Sequence, residues 1–186
     1  MNEQLLTRIK ADIYRYYGKT GSKYFFKCFI QEIGFRVTLF YRLAAHYKKY
    51  NVIGLLSRVF YRYYFYFLGF QIPLTSKIGK GLIIKHFGSI VLNGGAIIGD
   101  NCYISHGITI GQTNRGKMKG VPKIGNKVWL GPNCVVVGNI QIGDNVLIAP
   151  NAYVNFDVPP NSIVIGNPAK IVYDENATDC YINNVV

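Results

Sequence analysis

The sequence predicts a parallel β-helix of four coils that follows an α-helical segment. The main observation is a period of six residues over 124–159, where each unit opens with Ile, Leu or Val. A strand has a period of two and an α-helix one of 3.6, so this pattern fits a chain that turns a corner every six residues. Hexapeptide repeats of this kind are typical of parallel β-helices. The second observation is that residues 3–68 place their apolar side chains mostly at helical spacing.

Residues 1–70 form the predicted N-terminal helical segment. We expect a short amphipathic helix over 3–17, then a turn that contains Gly18 and Gly21. A longer helix is expected over 23–50, with a break at Gly34.

The last predicted helix, residues 52–68, is apolar nearly all round and admits three interpretations. A membrane span needs about 20 apolar residues, and Arg58 and Arg62 in the middle of the helix disfavour it. A helix at an anionic membrane surface and a helix buried against its own coil or a neighbouring subunit remain open. Residues 1–70 contain 12 Lys or Arg against three Asp or Glu, which favours an anionic partner. We therefore expect a cytoplasmic protein in peripheral contact with the membrane, and no nucleic-acid partner.

The repeats extend backwards from Ile124 to Ile78 and give twelve units, or four coils, within a predicted β-helical domain over 71–172. Two irregularities interrupt them. Eight residues separate Ile90 from Ile98, which predicts a two-residue insertion near Gly94 and Gly95. Fourteen residues separate Ile110 from Ile124, which predicts an ejected basic loop over 112–120. The tail, 173–186, carries no readable signal.

The four cysteines show neither CxxC nor zinc spacing. Cys102 and Cys134 occupy the fifth, inward place of their units, so we predict that they are core residues of a protein in a reducing cytosol. Residues 1–12 carry four charged side chains and no apolar stretch, so no signal peptide is expected.

Four features together resemble the hexapeptide-repeat acyltransferases. They are the repeats, the run KHFGSIVL at 85–92, the loop after Gly111, and GNPAK at 166–170. Over about residues 30–172 the chain is similar to serine acetyltransferases and to their O-acetyltransferase relatives in polysaccharide biosynthesis. The resemblance implies a left-handed β-helix, a homotrimer, and acetyl-CoA as the acetyl donor, bound between adjacent subunits.

The resemblance assigns the catalytic base to His86. A base must remove the hydroxyl proton as the acceptor attacks, and histidine has a suitable pKa near neutral pH. His106 is the second catalytic candidate, because one coil plus the insertion separates it from His86 and should stack the two about 5 Å apart. An outward stack of polar residues is the alternative interpretation. His46 is expected to be a surface or packing residue.

The CoA-binding candidates are Lys170, where the family has a basic residue near the phosphates, and Arg115, Lys117 and Gly111 in or beside the loop. A solvated basic surface is the alternative for the loop cations. The backbone amides near Gly107 and Gly111 are candidate oxyanion donors. No metal site is expected, because catalytic zinc needs three protein ligands.

Several serine-handling positions of the family differ in this chain. Lys85 replaces an acidic residue before the histidine, and Gln71 replaces the carboxylate that orients it. Gly120 and Val121 replace an Arg-His pair that holds the serine carboxylate. We therefore predict an acetyl-CoA-dependent O-acetyltransferase that acts on a sugar or a lipid-linked glycan precursor. The alternatives are serine O-acetylation for cysteine synthesis and a non-catalytic β-helix scaffold at a membrane.

Overall fold

The computed structural model describes residues 3–186; Met1 and Asn2 of the predicted helical segment lie outside the described residues. Four helices precede the strands: α1 (Glu3–Tyr17), α2 (Ser22–Gln31), α3 (Ile33–His46) and α4 (Val52–Phe67). The predictions for the first and last helices are confirmed. The helix predicted over 23–50 is two helices, and the break lies at Glu32, whose extended backbone (φ −110°, ψ 101°) ends α2.

Gly34 does not break the helix; it brings α3 against the β-helix. A Cβ at this position would lie 1.8 Å from the carbonyl oxygen of Ile84, the last residue of the third strand. Tyr16 of α1 donates a hydrogen bond to the same carbonyl, at 3.0 Å. The glycine is therefore explained by close packing and not by helix termination.

We expect Gly34→Ala to destabilise the protein by about 2–3 kcal/mol or more, because a methyl group has no room between two backbones. Urea unfolding measures the effect. Gly95→Ala is the matched control, since its added Cβ would meet side chains at 3.4 Å or beyond, an ordinary contact. Equal stability of the two variants would contradict the close approach.

Fifteen short strands form three sheets. Sheet A contains β1, β4, β7, β10 and β13; sheet B contains β2, β5, β8 and β11; sheet C contains β3, β6, β9, β12, β14 and β15. All pairings between these strands are parallel except that of β15 with β14. The strands are β1 (Phe70–Gln71), β2 (Lys77–Ile78), β3 (Ile83–Ile84), β4 (Ile90–Leu92), β5 (Ile97–Ile98), β6 (Tyr103–Ile104), β7 (Thr109–Gly111), β8 (Lys123–Ile124), β9 (Val128–Leu130), β10 (Val135–Val137), β11 (Gln141–Ile142), β12 (Val146–Ile148), β13 (Tyr153–Val154), β14 (Ser162–Ile165) and β15 (Lys170–Tyr173).

The predicted fold class, a left-handed parallel β-helix behind a helical segment, is confirmed. The solenoid has about five turns and not four, since sheets A and C each stack five parallel strands. The difference comes from β1 and β14, which lie outside the twelve repeat units but pair with them.

Aliphatic side chains fill the interior of the solenoid, as the inward repeat positions predict. Cys102 and Cys134 are fully buried among them, so their predicted core role is confirmed. Burial raises the pKa of each thiol to about 12. These two cysteines are therefore packing residues at neutral pH.

The predicted loop is confirmed, but the predicted place of the two-residue insertion is wrong. Ile84 pairs with Ile104 and Leu92 pairs with Ile110, so the extra two residues lie between β3 and β4 and not at Gly94 and Gly95. Ile90 is also buried and therefore imitates the repeat position that Leu92 occupies.

The loop leaves the solenoid between β7 and β8, and Thr113 and Gly120 close it with two backbone hydrogen bonds of 3.0 and 2.9 Å. Met118 packs against the core and anchors the loop.

A buried ion pair joins the helices to the first coil. The Arg42 guanidinium of α3 binds the Asp12 carboxylate of α1, with one contact of 2.9 Å, and both side chains are at most 2% exposed. Arg42 also donates to the carbonyl of Gly79 at 2.6 Å, and Asp12 accepts from the amide of Leu82 at 3.0 Å. The Arg42 and Asp12 charges therefore each have partners in the helices and in the first coil.

The tail, which the sequence left unassigned, runs back along sheet C towards α1. Tyr181 packs on Trp129 with ring centroids 4.8 Å apart. Val186 and the Asn101 side chain exchange two hydrogen bonds of 2.8 and 2.9 Å. The tail thereby covers part of sheet C.

Helix α4 packs one side against α3 and β1 through Ser57, Tyr61 and Tyr64, and leaves the other side exposed. None of the helices within residues 3–186 is both long enough and apolar enough to cross a bilayer.

Candidate active site

Two histidines from successive coils meet at the corner between sheets C and A. His86 follows β3 and His106 follows β6, and these strands pair with Ile84 opposite Ile104. Their ring centroids are 5.8 Å apart and their ring planes 87° apart. The adjacency predicted from the 20-residue interval is confirmed.

The two imidazoles differ in environment. His86 is exposed, and within residues 3–186 it makes no hydrogen bond or ion pair. His106 is half-buried, and its Nδ1 atom is buried without a hydrogen-bond partner among the described residues. A buried ring nitrogen without a partner is costly, which is typical of a site that gains a partner when a ligand or water binds.

Gly107 shapes this corner. Its φ of 71° lies in the left-handed region, and a Cβ there would lie 1.9 Å from Oδ1 of Asn133. Its amide donates to the carbonyl of Gly88 at 3.2 Å. The Gly107 amide therefore already has a partner in the solenoid, and the oxyanion role of the amides near Gly107 and Gly111 stays a prediction. Gly111 lies at the end of β7, in register with Val137 of β10.

The residue before His86 faces away from it. Lys85 pairs with Glu32, at the α2–α3 junction, at 3.3 Å, and its ammonium lies 5.6 Å from the ring centre of Tyr16. Sequence analysis missed Glu32 because 53 positions separate the pair and no local pattern connects them. Gln71 lies on the outer face of sheet A beside Val91. No carboxylate among residues 3–186 hydrogen-bonds to His86, so the group that orients it is still unassigned.

The loop that carries the cations starts at the opposite end of the sheet A strands, at the corner between sheets A and B. Both histidines precede strands of sheet A, whereas the loop leaves from its far end at Gly111, about 10 Å away for a three-residue strand. Arg115 and Lys117 are exposed. The loop therefore leaves the solenoid at a corner that does not carry the histidines.

Lys170 begins β15, is exposed, and lies opposite Ile165 beyond the last coil. A single chain thus places His86 and His106 together but does not gather Lys170, Arg115 and Lys117 around them.

His46 ends α3 and is exposed, as expected for a surface residue. Within residues 3–186, no three His, Cys, Asp or Glu side chains are grouped so that they could hold a metal ion.

Comparison with known proteins identifies relatives of this chain. A family model described as bacterial transferase hexapeptide (six repeats) matches residues 122–155. A serine acetyltransferase of Helicobacter pylori is 36% identical over 141 residues, which are 75% of this chain and 81% of that protein. The serine acetyltransferase of Synechococcus elongatus is 33% identical over 140 residues, 75% of this chain but only 57% of that protein.

Solved structures give the same result. The serine acetyltransferase of Neisseria gonorrhoeae in complex with serine superposes with a TM-score of 0.73 at 29% identity, covering 91% of this chain and 69% of that chain. The enzyme from Brucella abortus in complex with coenzyme A gives a TM-score of 0.75 at 27% identity, covering 93% and 69%.

The chain spans 57% of the Synechococcus relative and 29% of one Arabidopsis thaliana relative. These matches favour serine acetylation, the alternative acceptor prediction, over a sugar acceptor in polysaccharide biosynthesis, which they do not support. The identity over most of the Helicobacter enzyme, the hexapeptide match and the shared fold show that the chain belongs to the serine acetyltransferase family of hexapeptide-repeat acyltransferases.

Proposed function

We propose that the protein is an acetyl-CoA-dependent O-acetyltransferase in which His86 is the general base. The observation that carries this proposal is the exposed His86 imidazole, in edge-to-face contact with His106 at one corner of the solenoid, in a member of this family. A cytoplasmic location, where acetyl-CoA is made and used, is part of the proposal.

The reaction requires one proton to move twice. The acceptor hydroxyl gives its proton to the His86 ring as its oxygen attacks the thioester carbonyl, and a tetrahedral oxyanion forms. When this intermediate collapses, the carbon–sulfur bond breaks and the imidazolium returns the proton to the CoA sulfur. An exposed imidazole without a protein partner is free to accept that proton.

His106 is proposed as a second group of the site. Its half-buried ring lies edge-on to His86, and its unpaired Nδ1 atom is available to a bound substrate or water. We expect it to hold the acceptor or the His86 ring in position, so that its removal has a smaller effect than the loss of His86.

The separation of the histidines from the loop supports a site shared between subunits. In one chain they lie at opposite ends of the sheet A strands, so we expect a neighbouring copy to bring Arg115 and Lys117 to the CoA phosphates. The outer face of sheet A carries half-buried β-branched side chains, among them Val91 and Thr109, that a neighbour would cover. We propose the homotrimer on these grounds.

L-serine is the first acceptor to test, because the relatives are named serine acetyltransferases and one solved relative holds serine. A sugar hydroxyl is the second acceptor to test. It is favoured because the two positions that would hold an amino-acid carboxylate carry no cation. Gly120 has no side chain, and Val121 packs against the core.

The test measures CoA thiol release from acetyl-CoA with L-serine, with free hexoses and with nucleotide sugars, each at 1 mM (about the upper end of ordinary KM values). Saturable turnover with serine supports the first acceptor, and turnover with sugars alone supports the second. Turnover with none of them would contradict the proposed activity and favour the scaffold alternative.

A further inference from the structure

One side of α4 is an apolar surface without a partner among residues 3–186. We define the α4 face as eight side chains that are each 50–78% exposed. Gly54, Ser57, Tyr61 and Tyr64 on the other side of the helix are buried. The members of the α4 face are Val52, Leu55, Leu56, Val59, Phe60, Tyr63, Tyr66 and Phe67.

A cavity of about 340 Å³ lies at the edge of this face, between α4 and the turn after β1. Arg58 and Arg62 line it one helical turn apart, with Tyr61, Tyr66 and Pro73. Nη1 of Arg58 donates to the carbonyls of Tyr47 and Gly54, at 2.9 and 3.1 Å, which fixes the guanidinium.

Two groups of this cavity have no protein partner. Arg62 is exposed and makes no hydrogen bond or ion pair with any residue in 3–186. The Tyr61 hydroxyl is buried and makes no hydrogen bond with the described part of the chain, residues 3–186. Burial raises the pKa of Tyr61, so the hydroxyl keeps its proton and can act as a donor.

The charged side chains in the stretch of chain that forms this cavity are all positive. Residues 33–99 contain nine Lys or Arg and no Asp or Glu, so no carboxylate of this stretch competes for the two arginines. A forked guanidinium suits a phosphate group, and an amphipathic helix rich in tyrosine and phenylalanine suits the headgroup region of a bilayer. The apolar face and the cationic cavity are adjacent, because Tyr66 belongs to both.

We propose that the α4 face and its cavity bind the surface of an anionic bilayer, with a lipid phosphate between Arg58 and Arg62 and the apolar side chains among the lipids. The helix lies in the interface and does not cross it. This proposal does not depend on acetyl transfer.

The experiment is co-sedimentation of the full chain with phosphatidylglycerol and with phosphatidylcholine vesicles. We expect binding to the anionic vesicles only, weakening as salt rises. Arg62→Glu should weaken binding at least about tenfold, since each charge near such a surface contributes about 1 kcal/mol. Leu56→Ser/Val59→Ser should weaken it as well. Lys123→Glu makes the same charge change at an exposed residue of sheet B, and it should weaken vesicle binding much less.

Three results would overturn the proposal: no binding to phosphatidylglycerol at low salt, equal binding to both vesicles, or equal losses for Arg62→Glu and Lys123→Glu. Calorimetric binding of inorganic phosphate that depends on Arg62, without vesicle binding, would assign the cavity to a free anion instead. If Leu56→Ser/Val59→Ser changes the oligomeric state in sedimentation and vesicles do not bind, the face is a contact between copies. Thermal unfolding of each variant, unchanged within a few degrees, shows that the fold is intact.

Discussion

His86→Ala should lower the rate of acetyl transfer about 100-fold or more, because general-base catalysis by a positioned side chain typically contributes that much. The KM for acetyl-CoA should change little, since the lost group acts on the acceptor proton and not on CoA. Steady-state thiol release measures both constants. The imidazole is exposed and makes no hydrogen bond within residues 3–186, so its loss should leave the fold intact.

His46→Ala is the matched control, because it removes the exposed histidine at the end of α3 and should retain full activity. His106→Ala should lower the rate less than His86→Ala does. A His86→Ala enzyme with the wild-type rate would exclude the proposed base. Equal losses for all three variants would mean that the site does not lie at this corner.

Arg42→Ala should destabilise the protein by about 3–5 kcal/mol, the second large effect that we expect. The substitution leaves the Asp12 carboxylate buried without its cation, and an unpaired buried charge is costly. It also removes the donor that reaches the carbonyl of Gly79 in the first coil. Urea unfolding followed by circular dichroism measures the change.

Lys85→Ala is the control for this experiment. Lys85 also forms an ion pair, but its side chain is 46% exposed, and exposed pairs contribute under about 1 kcal/mol. A loss for Arg42→Ala as small as that for Lys85→Ala would show that the buried pair does not hold the helices on the solenoid.

The sequence predicts the solenoid well because its signal is local. Each six-residue unit fixes which side chains point inward, so the strand order and the loop over 112–120 follow from counting. The sequence places the insertion one corner too late, because the buried Ile90 imitates the repeat position of Leu92. The adjacency of His86 and His106 follows from the same arithmetic. The number of coils does not, because β1 and β14 pair with the stack although they lie outside the twelve counted units.

The contacts between the helices and the solenoid could not be predicted, because they are long-range. Gly34 has the appearance of a helix breaker in the sequence, and only the approach of Ile84 explains it. Arg42 and Asp12 are separated by 30 positions, and Lys85 and Glu32 by 53. The tail contacts at Trp129 and Asn101 likewise have no periodic signal.

In the proposed acetyl-transfer site, one subunit supplies His86 and its neighbour supplies the cationic loop. Two variants test this arrangement together: His86→Ala, and the loop variant Arg115→Glu/Lys117→Glu. Each alone should be nearly inactive. Co-expressed in equal amounts, random trimers should regain about one quarter of the wild-type activity, because that share of the sites combines an intact histidine with an intact loop. Activity in the mixture no greater than the average of the two separate variants would contradict a site shared between subunits.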